Sequence, residues 1–463
     1  MDDFLGYHSE WNLGSPGGWD YQRVTQVIGK AVWKRINEIR KIGVDLDFDH
    51  PLLYPVDGFV GMLVEAHRAR EGRNPGVIAV VAEEETLADV TENINLAERL
   101  SGIPGITGVL LAPHELELEN GTVCHRGKPV SLIFVDFNTD TLLALHRKRD
   151  LSPLLAAVRQ GRVVNPRGTG PINVKSVFEL VTGLFRDRFH PETVRRTPWT
   201  RKFYPRKTEG PGGEAIDDLV EWTRARWDGL VLKPERGYSG RGVRVGGVHA
   251  DADEAIGIAR KEGDYIVQEK IPLSLWGEDN PFVDKARKEA VLVRYQTDFR
   301  CLFGPKGVFG FLVRFGGVPT NVGSGGGVQP LALLRSDMTV RDAVNRMNEA
   351  ILSIGYGDLL EIVGMLEKMA LDHRFTYLLG PIRMALRPRV MKPGHIESLR
   401  NYCAAVWSDC RTLEKMWLSG EIDSFVTIEA EELAIARSQL WGGSPAVFAS
   451  DGLFSFGAHP EGP

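Results

Sequence analysis

The stretch that most constrains this chain is GLVLKPERGYSGRGVRVG, residues 229–246, in which an apolar run ends in Lys233, passes a glycine-containing turn and returns as a second strand. A loop of this kind exposes backbone N–H groups that can close on phosphate oxygens, and the preceding lysine adds a positive charge to the same phosphates. No GxxxxGK(S/T) run occurs, and the turn joins strand to strand, so neither a P-loop nor a dinucleotide fingerprint is present. An ordinary β-hairpin with a surface lysine has the same local pattern. The segment therefore gains meaning only from its partners.

Downstream, DYIVQEKIPL places an apolar strand before Gln268, Glu269, Lys270 and Ile271. A strand leaving its sheet there can offer a backbone donor and acceptor to an adenine edge, with Ile271 over the ring, although a buried strand ending in polar residues reads the same way. YQTDFRCLFGPKGVFGFLVRFGG sets Asp298 and Arg300 two residues apart, hence on one strand face, with Arg314 on the following strand. Carboxylate and guanidinium on one sheet face suit magnesium and phosphate respectively, and a cross-strand ion pair is the plain alternative. At the other end of the chain HSEWNLGSPGG puts Glu10 and Asn12 on one strand face before a tight loop. Hard oxygen ligands at that spacing can reach magnesium ions bridging phosphates, and the glycines let a substrate approach the backbone. The loop PTNVGSGGGVQP, residues 319–330, is glycine-rich enough to wrap an anion, with Asn321 placed to assist metal or substrate; a linker is the other reading.

Around these motifs the pattern is mixed α/β. Helical periodicity runs from Asp20 to Ile42 and from Val56 to Arg70. The β-branched run Val77–Val81, a helix over Thr86–Leu100 and the strand Ile106–Leu111 form a β-α-β unit of an open parallel sheet. A hairpin at Asn120 and Gly121, the strand Val130–Val135 and a helix over Leu142–Gln160 complete a unit of the first 160 or so residues. A helix carrying Lys175 and the basic segment Arg195–Lys207 follow, and the motif strands fill the region to about residue 330. From Met338 to Leu440 helical periodicity dominates, ending in a Gly/Pro-rich tail.

Composition excludes several classes. With 56 Lys and Arg against 61 Asp and Glu, the net charge of -5 provides no basic field for nucleic acid or an anionic membrane. No run of roughly 18 apolar residues occurs, and the start MDDFLGYHSEWN has no basic segment followed by an apolar one. A cytoplasmic location is the expectation. Cys124, Cys301, Cys403 and Cys410 form no CxxC pair and lack zinc-type histidine spacing, so they read as reduced structural thiols.

Taken together, the motifs resemble the ATP-grasp superfamily, in particular its circularly permuted branch, which includes proteins similar to glutathionylspermidine synthetase. In the usual order the Glu-x-Asn strand follows the Asp-x-Arg strand, whereas here SEWNLGSPGG opens the chain and TDFR comes near residue 300. The resemblance covers roughly residues 1–330. It implies that Lys175 and Lys233 bind phosphate, that Arg236–Val243, with Ser239, Gly240 and Gly242, is a glycine-rich flap, and that Gln268, Glu269 and Ile271 form the adenine hinge. It further implies that Glu10, Asn12 and Asp298 are magnesium ligands, and that Arg300 and Arg314 contact phosphate or an acyl phosphate. The implied organisation is a metal-ligand strand and loop over 1–20, a pre-ATP-grasp-like α/β domain over 21–165, nucleotide-binding lobes over 166–335 and a helical region over 336–463. That last region is open to two readings, a cap on the site or a homodimer interface.

The implied cofactors are ATP and Mg2+, and the implied reaction joins a small-molecule carboxylate to an amine through an acyl phosphate, releasing ADP and phosphate. A site rich in Lys, Arg, Asp, Glu and Asn, with no Ser-His-Asp or Cys-His pattern, fits such chemistry. A kinase on the same scaffold and a catalytically inactive nucleotide-binding protein are the alternatives.

Overall fold

The computed structural model describes residues 5–457 apart from 73, 238–239, 249–250, 273–276, 318–319, 321–325, 378–379, 427, 444 and 446. It is a mixed α/β structure. Gly76–Val81 lies between Ile106–Leu111 and Lys128–Val135, parallel to both, and the hairpin Glu117–Glu119 and Thr122–His125 extends this sheet. Both faces are covered, which is why the central strand is apolar at every position. Ile78 and Val80 pack with Phe59, Leu63, Leu96 and Leu100, while Val77, Ala79 and Val81 pack with Leu142, Leu154 and Ala157. The helix expected over 142–160 is two helices, Thr139–Lys148 and Ser152–Arg159. Pro153 stands in the first turn of the second, where its missing N–H is tolerated, whereas inside one continuous helix it would remove a backbone bond and break it.

A second, seven-stranded sheet forms the centre of the molecule. Its longest strand, Glu289–Gly304, pairs antiparallel with Gly307–Gly316 on one side and with Phe448–Ser455 on the other. Phe448–Ser455 in turn pairs with the edge strand Leu5–Asn12, so the first and last strands of the described chain are hydrogen-bonded neighbours. The reading of 336–463 as helices followed by a tail needs correction here. Every residue of Phe448–Ser455 is buried, so the strand shows no apolar/polar alternation, and its Ser450, Asp451 and Gly452 imitate a turn. The segment after His373, within the span expected to be helical, contains short strands, including Arg383–Met384 and Arg389–Met391, and Arg387 and Arg389 are buried against Glu278. One face of the central sheet, through Phe299, Cys301 and Phe303, packs on the long helix Pro393–Leu418.

The other face looks toward a small lobe. There Arg244–Val245, Leu230–Pro234, Tyr265–Glu269 and Thr200–Lys202 form a four-stranded antiparallel sheet, backed by the helices Leu219–Ala225 and Ala252–Glu262 through Leu232, Val267, Leu219 and Ile256. No helix among the described residues is long and apolar enough to cross a membrane.

Candidate functional site

Between the small lobe and the central sheet lies an open cleft. Strand periodicity sets its floor, because Asp298 and Arg300 share a face and Asp298 pairs in register with Arg314. Arg300 pairs with Asp451, and Asp451 with Glu10, giving a row of charged residues across three strands. Arg300 donates to both oxygens of Asp451 at 2.5 and 2.6 Å and to the Gly17 carbonyl at 2.7 Å. Arg314 donates to Asp298 Oδ2 at 2.6 Å and to Asp451 Oδ2 at 3.3 Å. Thr320 Oγ1 donates to the same Asp298 oxygen at 3.2 Å.

Charge balance distinguishes the two aspartates. Burial works to raise the Asp451 carboxyl, but Arg300 and Arg314 outweigh it and hold the group below the usual carboxylate range. Burial pushes Asp298 up, against the pull of Arg314 and with the nearby Asp451 adding to the rise. Asp298 Oδ1 is buried with no hydrogen-bond partner among the described residues, an expensive state for a carboxylate oxygen that a bound cation would relieve.

The lysines come from the roof and the side. Lys233, on Leu230–Pro234, donates to Gln268 Oε1 at 2.7 Å and to the Ser9 carbonyl at 3.2 Å, which ties the small lobe to the first strand. Burial lowers its pKa to about 8; Glu10 opposes that shift and Lys175 adds to it. Lys175 sits in the turn before the short helix Val177–Thr182, not within a helix, and its Nζ lies 3.5 Å from Glu10 Oε2 and 3.0 Å from the Gly237 carbonyl. Val231, Val243, Val245, Ile271 and Leu453 give the cleft an apolar part.

Of the residues singled out in the sequence, Glu10, Lys175, Lys233, Gly240, Gln268, Glu269, Ile271, Asp298 and Arg314 all line this cleft. Arg300 and Asn12 do not, and Arg300 is closed off because both arms of its guanidinium are spent on Asp451 and Gly17. Gly242 packs against Pro234 at the root of the glycine turn, and Ser239 and Asn321 lie outside the described residues. At the hinge the N–H groups of Glu269 and Lys270 already donate to the Trp199 and Gly229 carbonyls, both at 2.8 Å, and are unavailable to a ligand. Asp451 was missed. Its signal was a lone carboxylate inside the apolar run VFASDGLFSF.

Among the described residues no three His, Cys, Asp or Glu side chains gather closely enough to hold a metal unaided. Glu10 and Asp298 both line the cleft, and with the unpartnered Asp298 oxygen they suit a hard cation whose remaining ligands come from a bound phosphate chain and water.

No protein-family model matches the chain, and no curated protein does. Several solved structures are similar in part, three of which follow. The macrocyclase MdnC of Microcystis aeruginosa MRC, bound with precursor peptide MdnA, aligns at 13% identity over 63% of this chain and 84% of its own, with a TM-score of 0.30. A RimK domain protein ATP-grasp from Sphaerobacter thermophilus DSM 20745 aligns at 15% identity over 63% and 99%, with a TM-score of 0.30. D-alanyl-alanine synthetase A from Vibrio cholerae O1 biovar eltor str. N16961 aligns at 9% identity over 74% and 99%, with a TM-score of 0.29. Likeness at this level carries no weight for function, which is read below from the cleft.

Proposed function

We propose that this chain is an ATP-dependent carboxylate–amine ligase on a circularly permuted ATP-grasp core. The observation that carries the reading is the convergence of Lys175, Lys233, Glu10, Asp298 and Arg314, drawn from distant segments, on one cleft with an apolar part. The sheet order supports the permutation, since Leu5–Asn12, which carries Glu10, shares one sheet with Glu289–Gly304, which carries Asp298, through Phe448–Ser455, although it precedes that strand in sequence.

In this reading the adenine lies among Val231, Val245, Ile271 and Leu453, beside the hinge at Gln268–Ile271. Lys233 and Lys175 take the phosphates. Magnesium, when bound, neutralises phosphate charge, and Glu10 and Asp298 are the residues that would hold it. A carboxylate oxygen of the acid attacks the terminal phosphorus, the bond from that phosphorus to the bridging oxygen breaks, and ADP leaves. Arg314, fixed by two carboxylates, supplies positive charge beside the acyl phosphate. The amine then attacks the acyl carbon, phosphate departs, and the extra proton on nitrogen passes to solvent. Positioning and charge neutralisation suffice for both steps, so no protein nucleophile is required.

The test is a screen of amino acids and polyamines with magnesium and ATP, reading ADP release and product masses. An amide product with free phosphate supports the ligase. A phosphorylated product in place of free phosphate would make the chain a kinase.

A further inference from the structure

Among the described residues six cationic side chains line the cleft: Lys175, Lys233, Arg236, Arg241, Lys270 and Arg314. Five are already engaged within the protein. Lys175 reaches Glu10 and the Gly237 carbonyl, and Lys233 reaches Gln268 and the Ser9 carbonyl. Arg236 pairs with the buried Glu432, Lys270 donates to the Gly246 carbonyl, and Arg314 bridges Asp298 and Asp451. Arg241 is exposed and has no partner among the described residues. Among the described residues it is the uncommitted positive charge of the cleft.

The backbone displays it. Gly240 and Gly242, on either side, have φ of +71° and +74°, the left-handed region open to glycine, so Arg241 stands on a sharp turn. The turn is anchored on one side, because the Tyr265 hydroxyl, which donates to Glu262 Oε2 at 2.6 Å, lies 3.2 Å from the Gly242 carbonyl oxygen, and Gly242 packs on the Pro234 ring. Ladder register then fixes where along the cleft Arg241 lies. Glu269 of the hinge pairs with Leu230, Val245 with Val231 and Arg244 with Leu232, and Gly242 reaches Pro234 at the far end. The four residue-to-residue steps of strand from Leu230 to Pro234 cover about 13 Å. Arg241 therefore lies at the end of the cleft remote from the hinge, with Lys233 between them.

We infer that Arg241 reads the terminal phosphate of the nucleotide, so that the cleft distinguishes ATP from ADP. The inference rests on the nucleotide reading above. With the base at the hinge, the inner phosphates fall to Lys233 and Lys175, whose geometry is held by their protein partners, and the outermost reaches the end where Arg241 is free. A guanidinium there meets phosphate oxygens through two parallel donors, a match that an ammonium cannot make.

Calorimetric titration of the full chain with magnesium and either ADP or the non-hydrolysable ATP analogue AMPPNP tests this. Arg241→Ala should weaken AMPPNP binding about tenfold and change ADP binding by less than about twofold, with Arg241→Lys keeping part of the preference. Equal weakening of both nucleotides, or an unchanged AMPPNP affinity, overturns the inference while leaving the nucleotide reading in place. A wild-type chain that binds neither nucleotide overturns that reading and the inference with it.

Discussion

Arg300 grips both carboxylate oxygens of Asp451, at 2.5 and 2.6 Å, and so locks the longest strand of the central sheet to the last strand of the chain. On its other side Asp451 faces Glu10 of the first strand, and Arg314 reaches the same carboxylate from the next strand over. The cleft floor thus depends on residues close to both ends of the chain.

Asp451→Ala would leave Arg300 and Arg314 buried without a shared counter-charge. Removing one member of a buried ionic cluster costs about 3–5 kcal/mol, because the remaining charge cannot return to water. Asp451→Asn keeps the shape and loses the charge, so its loss should be smaller. Chemical denaturation measures both, and a loss below about 1 kcal/mol for Asp451→Ala would show that the lock is not structural.

Lys233 gives a pH dependence of definite sign. Its ammonium is the form that attracts phosphate, and burial brings its pKa to about 8, so nucleotide affinity should fall as pH rises from 7 to 9. Stability of the ligand-free protein should move the other way. Below a pKa of about 8 the lysine is protonated folded or unfolded; between about 8 and the ordinary lysine value the unfolded chain holds the extra proton, so stability rises with pH there. Lys233→Met should abolish both effects, as titration calorimetry and thermal melts across this range would record.

Gly242→Ala should damage the small lobe. At φ +74° a side chain is strained, and an added Cβ would sit 2.7 Å from Pro234 Cγ and 2.9 Å from Tyr265 Oη. A loss of about 1–3 kcal/mol is expected, with weaker nucleotide binding. Gly257→Ala, in the helix Ala252–Glu262 where an added Cβ meets nothing within 4 Å, is the control and should hold or gain stability.

Glu10→Gln separates metal dependence from nucleotide binding. The substitution removes a negative charge 3.5 Å from Lys175, so without magnesium the affinity for ADP should hold or rise. The gain in affinity that magnesium brings to the wild type should shrink. An undiminished magnesium effect would remove Glu10 from the metal site.

Much of the scaffold was legible because its signals are local. Ile106–Leu111 and Tyr265–Glu269 have the bounds their apolar runs suggest, and the alternate sides of Gly76–Val81 face two separate cores. Asp298 and Arg314 were legible as a pair because a strand fixes which side chains share a face. Phe448–Ser455 was not, since its polar centre is tolerable only where Arg300, distant in sequence, supplies the counter-charge. The engagement of Arg300 was hidden for the same reason: its spacing from Asp298 shows its face, but only the tertiary pairing shows that Asp451 occupies it. The break between Thr139–Lys148 and Ser152–Arg159 was visible in Pro153, and apolar periodicity on both sides concealed it.

The most direct test of the ligase reading follows oxygen. Acid substrates carrying 18O in the carboxylate, incubated with the full chain, an amine pool, magnesium and ATP, should yield inorganic phosphate containing one labelled oxygen for each amide formed, because the acyl phosphate leaves with an oxygen from the acid. Amide formation with unlabelled phosphate, or ADP release with the label confined to unreacted acid, would contradict it.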